Sequence, residues 1–170
     1  MKRGLSTREL AIFGVLAAVM ISTKKAMEAL PNIHLVGVIT VAMTLVYRRK
    51  ALFPLYVYVI LEGVFGGFGT WWLPYLYVWT VLWGMTMLLP EKIPEKVRPF
   101  VYGAVCGLHG LLFGILYAPS QMVLFGLNLR GAVAWIAAGF PFDCIHGVSN
   151  LILGMILIVP LTKVLKKFGT

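Results

Sequence analysis

Tyr47-Arg48-Arg49-Lys50-Ala51 is a basic turn set between two long apolar runs. It is one of four basic clusters, and their spacing decides the fold. Lys2, Arg3 and Arg8 open the chain. Lys92, Lys96 and Arg98 fall in a stretch bounded by Pro90 and Pro99, and Lys163, Lys166 and Lys167 close the chain. Of the 15 Lys and Arg, only Lys24, Lys25 and Arg130 lie elsewhere. The blocks between clusters dominate the composition: 60% of the 170 residues are hydrophobic, 12% are charged, and the mean hydropathy is +0.90. A soluble domain is nearer half apolar and a quarter charged. The chain therefore reads as an integral membrane protein.

Basic residues collect on the cytoplasmic side of a membrane. With all four clusters there, each block between them crosses an even number of times. A span needs about 17–25 residues, so each block accommodates two. The expectation is an all-α polytopic membrane protein, a single domain over residues 1–170. It has about six transmembrane helices in three hairpins, with both termini cytoplasmic. The first hairpin covers residues 9–47 and turns near 23–33. The second covers 51–89 and turns near 66–72. The third covers 100–162, and its outer connection, about 119–140, is a substantial loop or partial helix. The outer turns are long and chemically varied, whereas the inner ones are short and basic. A binding site belongs on the outer side.

The net charge of +9 does not indicate nucleic acid, because the basic residues form no continuous surface. The apolar run after Met1-Lys2-Arg3 leads into further spans and shows no convincing signal-peptide cleavage site. Cys106 and Cys144 sit in apolar runs without disulfide or metal spacing. There is no P-loop, no HExxH and no Gly-x-Ser-x-Gly. No cofactor, metal or catalytic residue is assigned, and a binding protein is expected rather than an enzyme.

Polar residues inside apolar runs are the functional candidates, since ionisable groups in a bilayer are expensive. Pro141-Phe-Asp143-Cys-Ile-His146-Gly-Val-Ser-Asn150 opens the last run. Asp143, His146 and Asn150 are spaced to share one helix face. Pro141 suits the first turn of a helix, and Asp143 would complement its dipole there. Asn150 lies two turns deeper and has no such role. Glu62, in an apolar run near the outer end, needs a partner: a ligand, or an internal group such as His109. Trp72, Tyr75 and Trp79 share a face, as an interfacial belt or as a stripe that stacks on a flat ring. Asn32 is a helix cap and His34 an interfacial side chain, or both join Glu28 around an outer pocket. His109 bonds between helices or meets a ligand. Asn128 and Arg130 lie in the third outer connection, where Arg130 would meet a ligand anion or Glu28. Gly14, Ala18 and Ser22 repeat every four residues on the first helix. That stripe permits close helix packing, within the chain or against another subunit.

With these features the chain resembles the substrate-binding S components of energy-coupling factor (ECF) vitamin transporters. The resemblance rests on the small size, the hairpin topology, and Glu28-Ala-Leu-Pro-Asn-Ile-His34-Leu after a helix with spaced small residues. Phe142-Asp143-Cys-Ile-His146-Gly-Val-Ser-Asn150 adds to it. It covers essentially the whole chain and implies a multi-pass protein of the prokaryotic cell membrane with an outward-facing vitamin pocket. Residues 24–34, 66–72 and 119–140 would supply its lid and walls. Glu28, Asn32, His34, Glu62, Trp72, Tyr75, Trp79, His109, Asn128, Arg130, Asp143, His146 and Asn150 are the candidate substrate contacts. The implied partners are a transmembrane T subunit and two cytoplasmic ATPase subunits. The first-helix stripe resembles the family's Ala-x-x-x-Ala docking pattern, with Gly14 in one small position and Ser22 extending it. As the ATPases work, such a subunit tips in the membrane and carries its pocket inward. Aromatics with Glu62, Asp143 and the histidines suit a flat nitrogen-rich ring or a cation. Lys24, Lys25 and Arg130 suit a carboxylate or phosphate. Cobalamin or a fragment, a folate-like pterin, thiamine or its pyrimidine, pyridoxine and a queuosine precursor all fit. Two other readings stand beside this one: a small intramembrane enzyme using Asp143, His146 and Glu62, and a non-catalytic assembly subunit of a membrane complex.

Overall fold

The computed structural model describes residues 4–168. Lys2 and Arg3 of the first basic cluster lie outside the described residues. The described residues are helical, with no strand among them. In order they form α1 (Thr7–Ala26), α2 (Val36–Tyr47), a 3-10 turn (Arg48–Ala51), α3 (Leu52–Gly66), α4 (Tyr75–Met87), α5 (Arg98–Leu111), α6 (Phe113–Phe125) and α7 (Leu129–Phe168).

Helix α1 starts at a capping box. The Ser6 hydroxyl accepts from the Glu9 N–H, and the Glu9 carboxylate accepts from the Ser6 N–H at 2.9 Å. The second Glu9 oxygen meets Lys50 at 2.5 Å, which ties this helix end to the 3-10 turn. Helix α2 is apolar on every side, and the whole run from Val36 to Thr44 is buried. A helix without a polar face belongs in the middle of a bundle, and α2 packs against α1, α4, α5 and α7.

The basic clusters meet at one end, as their shared placement requires. The Trp83 indole N–H donates to the Arg48 carbonyl at 3.0 Å, and Arg48 donates to the Met87 carbonyl at 3.3 Å. The Tyr47 hydroxyl reaches the Leu165 carbonyl at 3.3 Å. Arg98, Lys163 and Lys166 border the same end.

Helices α5 and α7 approach closely through glycine. A Cβ on Gly110 would lie 2.8 Å from the Gly147 Cα, and one on Gly103 would lie 2.8 Å from the Leu151 carbonyl oxygen. This is small-residue packing of the membrane kind.

Helix lengths depart from the even pattern expected of six similar spans. Two helical runs, Arg98–Phe125 and Leu129–Phe168, are long and apolar enough to cross a membrane. Helices α2, α3 and α4 have 12, 15 and 13 residues. That is less than the about 17–25 of a separate span. The third outer connection also differs. It is only the turn 126–128, because α6 and the first part of α7 run through residues 119–140 as helix. The residues from 129 to 140 are rich in alanine and other apolar side chains, and nothing among them stops a helix. Gly126 at φ +65° ends α6 in the left-handed conformation, and the Asn128 side chain accepts from the Gly131 N–H at 2.8 Å to start α7. Pro141 is accordingly inside α7, not in its first turn.

Candidate functional site

At the end opposite the basic clusters, the connection between α1 and α2 folds over α7. Asn32 takes φ +58°, and its amide donates to the Phe142 carbonyl at 3.4 Å. The Ser149 hydroxyl donates to the Asn32 carbonyl at 3.4 Å. Asn32 is thus the pivot of a strapped-down loop and does not cap α2, which starts at Val36.

A cavity of about 180 Å³ lies beneath this loop. Lys24, Glu28, Asn32 and His34 line it from the α1–α2 side, Tyr75 from α4, Phe113 from α6 and His146 from α7. Its floor is aromatic. The His146 ring is 4.9 Å from the rings of both His34 and Phe113, edge to face. Beneath sits Trp79, 1% exposed, with Tyr75, His109, Phe113 and His34 at 5.6–5.9 Å.

This cluster holds polar atoms that are buried without a hydrogen-bond partner among the described residues. They are His34 Nδ1, His146 Nε2, His109 Nδ1, Trp79 Nε1 and both amide atoms of Asn150. Each such group costs about 1–3 kcal/mol if it stays unmatched. His109 Nε2 lies 3.0 Å from the Val78 carbonyl and must donate to it, so a neutral His109 ring presents Nδ1 as an acceptor. His34, in the loop, is pushed down to about 4 by burial and then by the nearby Lys24 cation, so it is neutral at physiological pH.

Charge in the site is matched internally. Glu62 is 2% exposed, and its Oε2 meets Lys24 Nζ at 2.6 Å. The same ammonium is 3.3 Å from the Tyr75 hydroxyl and 4.9 Å from the centre of that ring. The internal partner of Glu62 is Lys24, not His109. Lys25 pairs with Glu28 at 3.1 Å.

Compared with family models, with curated proteins and with solved structures, the chain matches none. The site is therefore interpreted from its own chemistry.

The structure gathers His34, Tyr75, Trp79, His109 and His146 into one cluster, with Glu62 on the Lys24 side and Asn150 one turn below His146. Other candidates have different surroundings. Asp143 accepts from the Gly114 N–H at 3.1 Å, taking up a backbone donor where the chain passes from α5 into α6. The Trp72 indole N–H donates to the Val59 carbonyl at 2.7 Å, and Phe68 packs edge-on against Trp72 at 5.0 Å. Those contacts pin residues 67–74 to α3. Asn128 and Arg130 are exposed at the α6–α7 turn, and neither borders the cavity. Gly14, Ala18 and Ser22 form an exposed face of α1, and a Cβ on Gly14 would meet nothing within 4 Å. That stripe is not used for packing among the described residues.

Sequence reasoning missed Phe113, Tyr117 and Tyr58, and it offered Lys24 as an anion contact and not as the partner of Glu62. Phe113 and Tyr117 continue the His109 face at four-residue spacing, which was a readable signal. The Tyr117 hydroxyl donates to the Trp71 carbonyl, and its ring stacks on Trp135 at 6.0 Å. Lys24 was visible as one of three cations outside the clusters. Among the described residues no group of His, Cys, Asp and Glu could hold a metal ion. A larger cavity, about 310 Å³, lies at the basic end between Arg48, Arg98, Lys163 and Lys166. It contains none of the unpartnered buried atoms.

Proposed function

We propose that the chain is a membrane-embedded substrate-binding subunit of the ECF S-component kind. It takes up a small vitamin or vitamin precursor with a ring system from outside the cell. In this reading the three helical hairpins make six crossings. The short helices α2, α3 and α4 cross inside the bundle, where their neighbours and the adjoining turns make up the thickness. The observation that carries the reading is the cavity opposite the basic end, floored by His34 and His146 with unpartnered ring nitrogens. A receptor must hold polar groups ready for a ligand at a stability cost, and a protein with only a packing role has no use for them.

The exposed Gly14-Ala18-Ser22 face is the proposed docking surface for a T subunit, which would couple this chain to two cytoplasmic ATPases. The enzyme reading loses support because Asp143, the carboxylate nearest His146 in sequence, is engaged by the Gly114 N–H.

The test is affinity purification from a prokaryotic membrane, followed by mass spectrometry of both proteins and small molecules. The expected result is a membrane protein and ATPases in the eluate, and a ring-containing small molecule released on denaturation. Gly14→Leu should release the protein partners and leave the bound small molecule in place. An eluate with neither partners nor ligand refutes the proposal.

A further inference from the structure

We infer that the ligand of the outer cavity is a single uncharged nitrogen-containing aromatic ring with hydroxyl or amino substituents, bound edge-on to His34 and His146. This rests on the receptor reading above and narrows it. Three features favour this class over the others that the sequence leaves open.

The first is size. The cavity measures about 180 Å³. A buried cavity of about 150 Å³ holds benzene, and pockets for drug-sized ligands run from about 300 to 1,000 Å³. One substituted six-membered ring fits. A corrinoid, or a pterin with its glutamate tail, would lie largely outside the cavity.

The second is charge. The cations on the cavity wall are Lys24, committed to the buried Glu62 at 2.6 Å, and Lys25, which meets Glu28 at 3.1 Å on the exposed rim. Arg130 is elsewhere and exposed. A ligand carboxylate or phosphate would have to break the Lys24–Glu62 pair and leave Glu62 buried and unpaired. A cationic ligand would find Glu62 already occupied by Lys24.

The third is edge chemistry. His146 is 2% exposed, lines the cavity, and has its Nε2 unpartnered. The His34 ring lies 4.9 Å away and its Nδ1 is also unpartnered; both nitrogens are buried at the floor and reach a ligand edge by a turn of the imidazole rings. A neutral imidazole nitrogen offers one donor or one acceptor. Two of them side by side suit a heteroaromatic edge that carries a ring nitrogen next to an exocyclic hydroxyl or amine. Phe113 and Tyr75 supply apolar faces for the ring.

The experiment is a binding titration of the purified full chain in detergent against matched probes, read as ligand-induced change in melting temperature and by calorimetry. The uncharged rings are pyridoxine, nicotinamide and 4-amino-5-hydroxymethyl-2-methylpyrimidine. Their charged or enlarged counterparts are pyridoxal 5′-phosphate, nicotinate and thiamine, with biotin, folate and cobalamin as the remaining classes. One uncharged ring should bind, and its charged counterpart should bind about 100-fold more weakly. His146→Phe should weaken that ring about tenfold or more, with His34→Phe as the second variant should the first not fold. Tighter binding of any charged or multi-ring probe overturns the inference and leaves the receptor reading standing. So does a folded variant of either histidine with wild-type affinity for a bound uncharged ring. If no probe binds and no small molecule co-purifies, the receptor reading fails, and this inference fails with it.

Discussion

Asn150→Leu should stabilise the protein while emptying its site. Asn150 is fully buried on α7, and neither its Nδ2 nor its Oδ1 has a partner among the described residues. Its surroundings are close: a Cβ on Gly37 would lie 3.4 Å from both amide atoms and 3.1 Å from the Cys106 sulfur. A buried amide without hydrogen bonds costs about 1–3 kcal/mol. Leucine branches at the same carbon and removes that cost, while its larger methyls add crowding of about 1 kcal/mol against Gly37 and Cys106. The net expectation is a gain of about 1 kcal/mol, or about 2–4 °C in melting temperature for a chain of this size. Wild type, Asn150→Leu and Asn150→Ala would be compared in detergent at one scan rate, with retained ligand measured after purification. Leucine should lie above wild type in Tm and retain less ligand, whereas alanine, which leaves a void, should lie below it. If leucine destabilises as much as alanine does, the amide is satisfied in the folded protein, and the reasoning from unpartnered atoms to a binding site fails.

The remaining predictions concern single contacts. Lys24→Met should lower stability by about 3 kcal/mol by leaving Glu62 as an unpaired buried charge. Adding Glu62→Gln should recover much of that loss in the same thermal melt, and additive losses would contradict the pairing. Gly110→Val should abolish the folded peak in size-exclusion chromatography, because the new Cβ meets Gly147 at 2.8 Å, whereas Gly14→Leu should leave that peak unchanged. Asp143→Ala should cost about 1.5–3 kcal/mol by freeing the Gly114 N–H, and Asp143→Asn, which still offers an acceptor, should cost less in the same melt. Glu9 is held below the usual carboxylate range by Lys50 and then by the Ser6 N–H. A depressed carboxylate adds stability above its unfolded pKa and loses it as pH falls through the folded one. Glu9→Gln should therefore melt below wild type at neutral pH, and the two curves should converge only when the pH drops below the ordinary carboxylate range.

Charge and hydropathy carried the all-helical class and the shared basic end in the sequence, because they act additively and locally. Four basic clusters had to share one end, and the contacts from Glu9 to Lys50, Arg48 to Met87 and Tyr47 to Leu165 bring three clusters and the end of α4 together there. Helix ends were less legible. Pro141 looks like a start signal, yet α7 runs through it, since the alanine-rich stretch before it propagates helix and supplies no stop. Within the site, single-helix periodicity identified His146 and Asn150 as neighbours and also placed Asp143 with them. It could not show that Asp143 is engaged by α6, because that depends on how closely α5 and α7 approach, and the approach is set by Gly103, Gly107 and Gly110. Pairings between helices, such as Lys24 with Glu62, require the packed bundle.

The same glycines connect packing to binding. Where α5 and α7 nearly touch, there is no room for a side chain at Gly103, Gly107 or Gly110, and the larger groups of the site lie beside this contact. His109 on α5 and Phe113 at the start of α6 meet Trp79, and Phe113 in turn meets His146 of α7. Above Gly110 the chain breaks at Leu112 and continues as α6, and the Asp143 carboxylate secures that break by taking the Gly114 N–H. The break sets the direction in which α6 carries Phe113 and Tyr117, and so it fixes one wall of the cavity and the Trp71 contact above it. Asp143 thus acts on the site from one step away: it holds the wall, and in the proposed receptor the imidazoles meet the ligand. The two roles are separable. A substitution at Asp143 should change stability and ligand affinity together, whereas one at His146 should change affinity with little change in the melting of the empty protein.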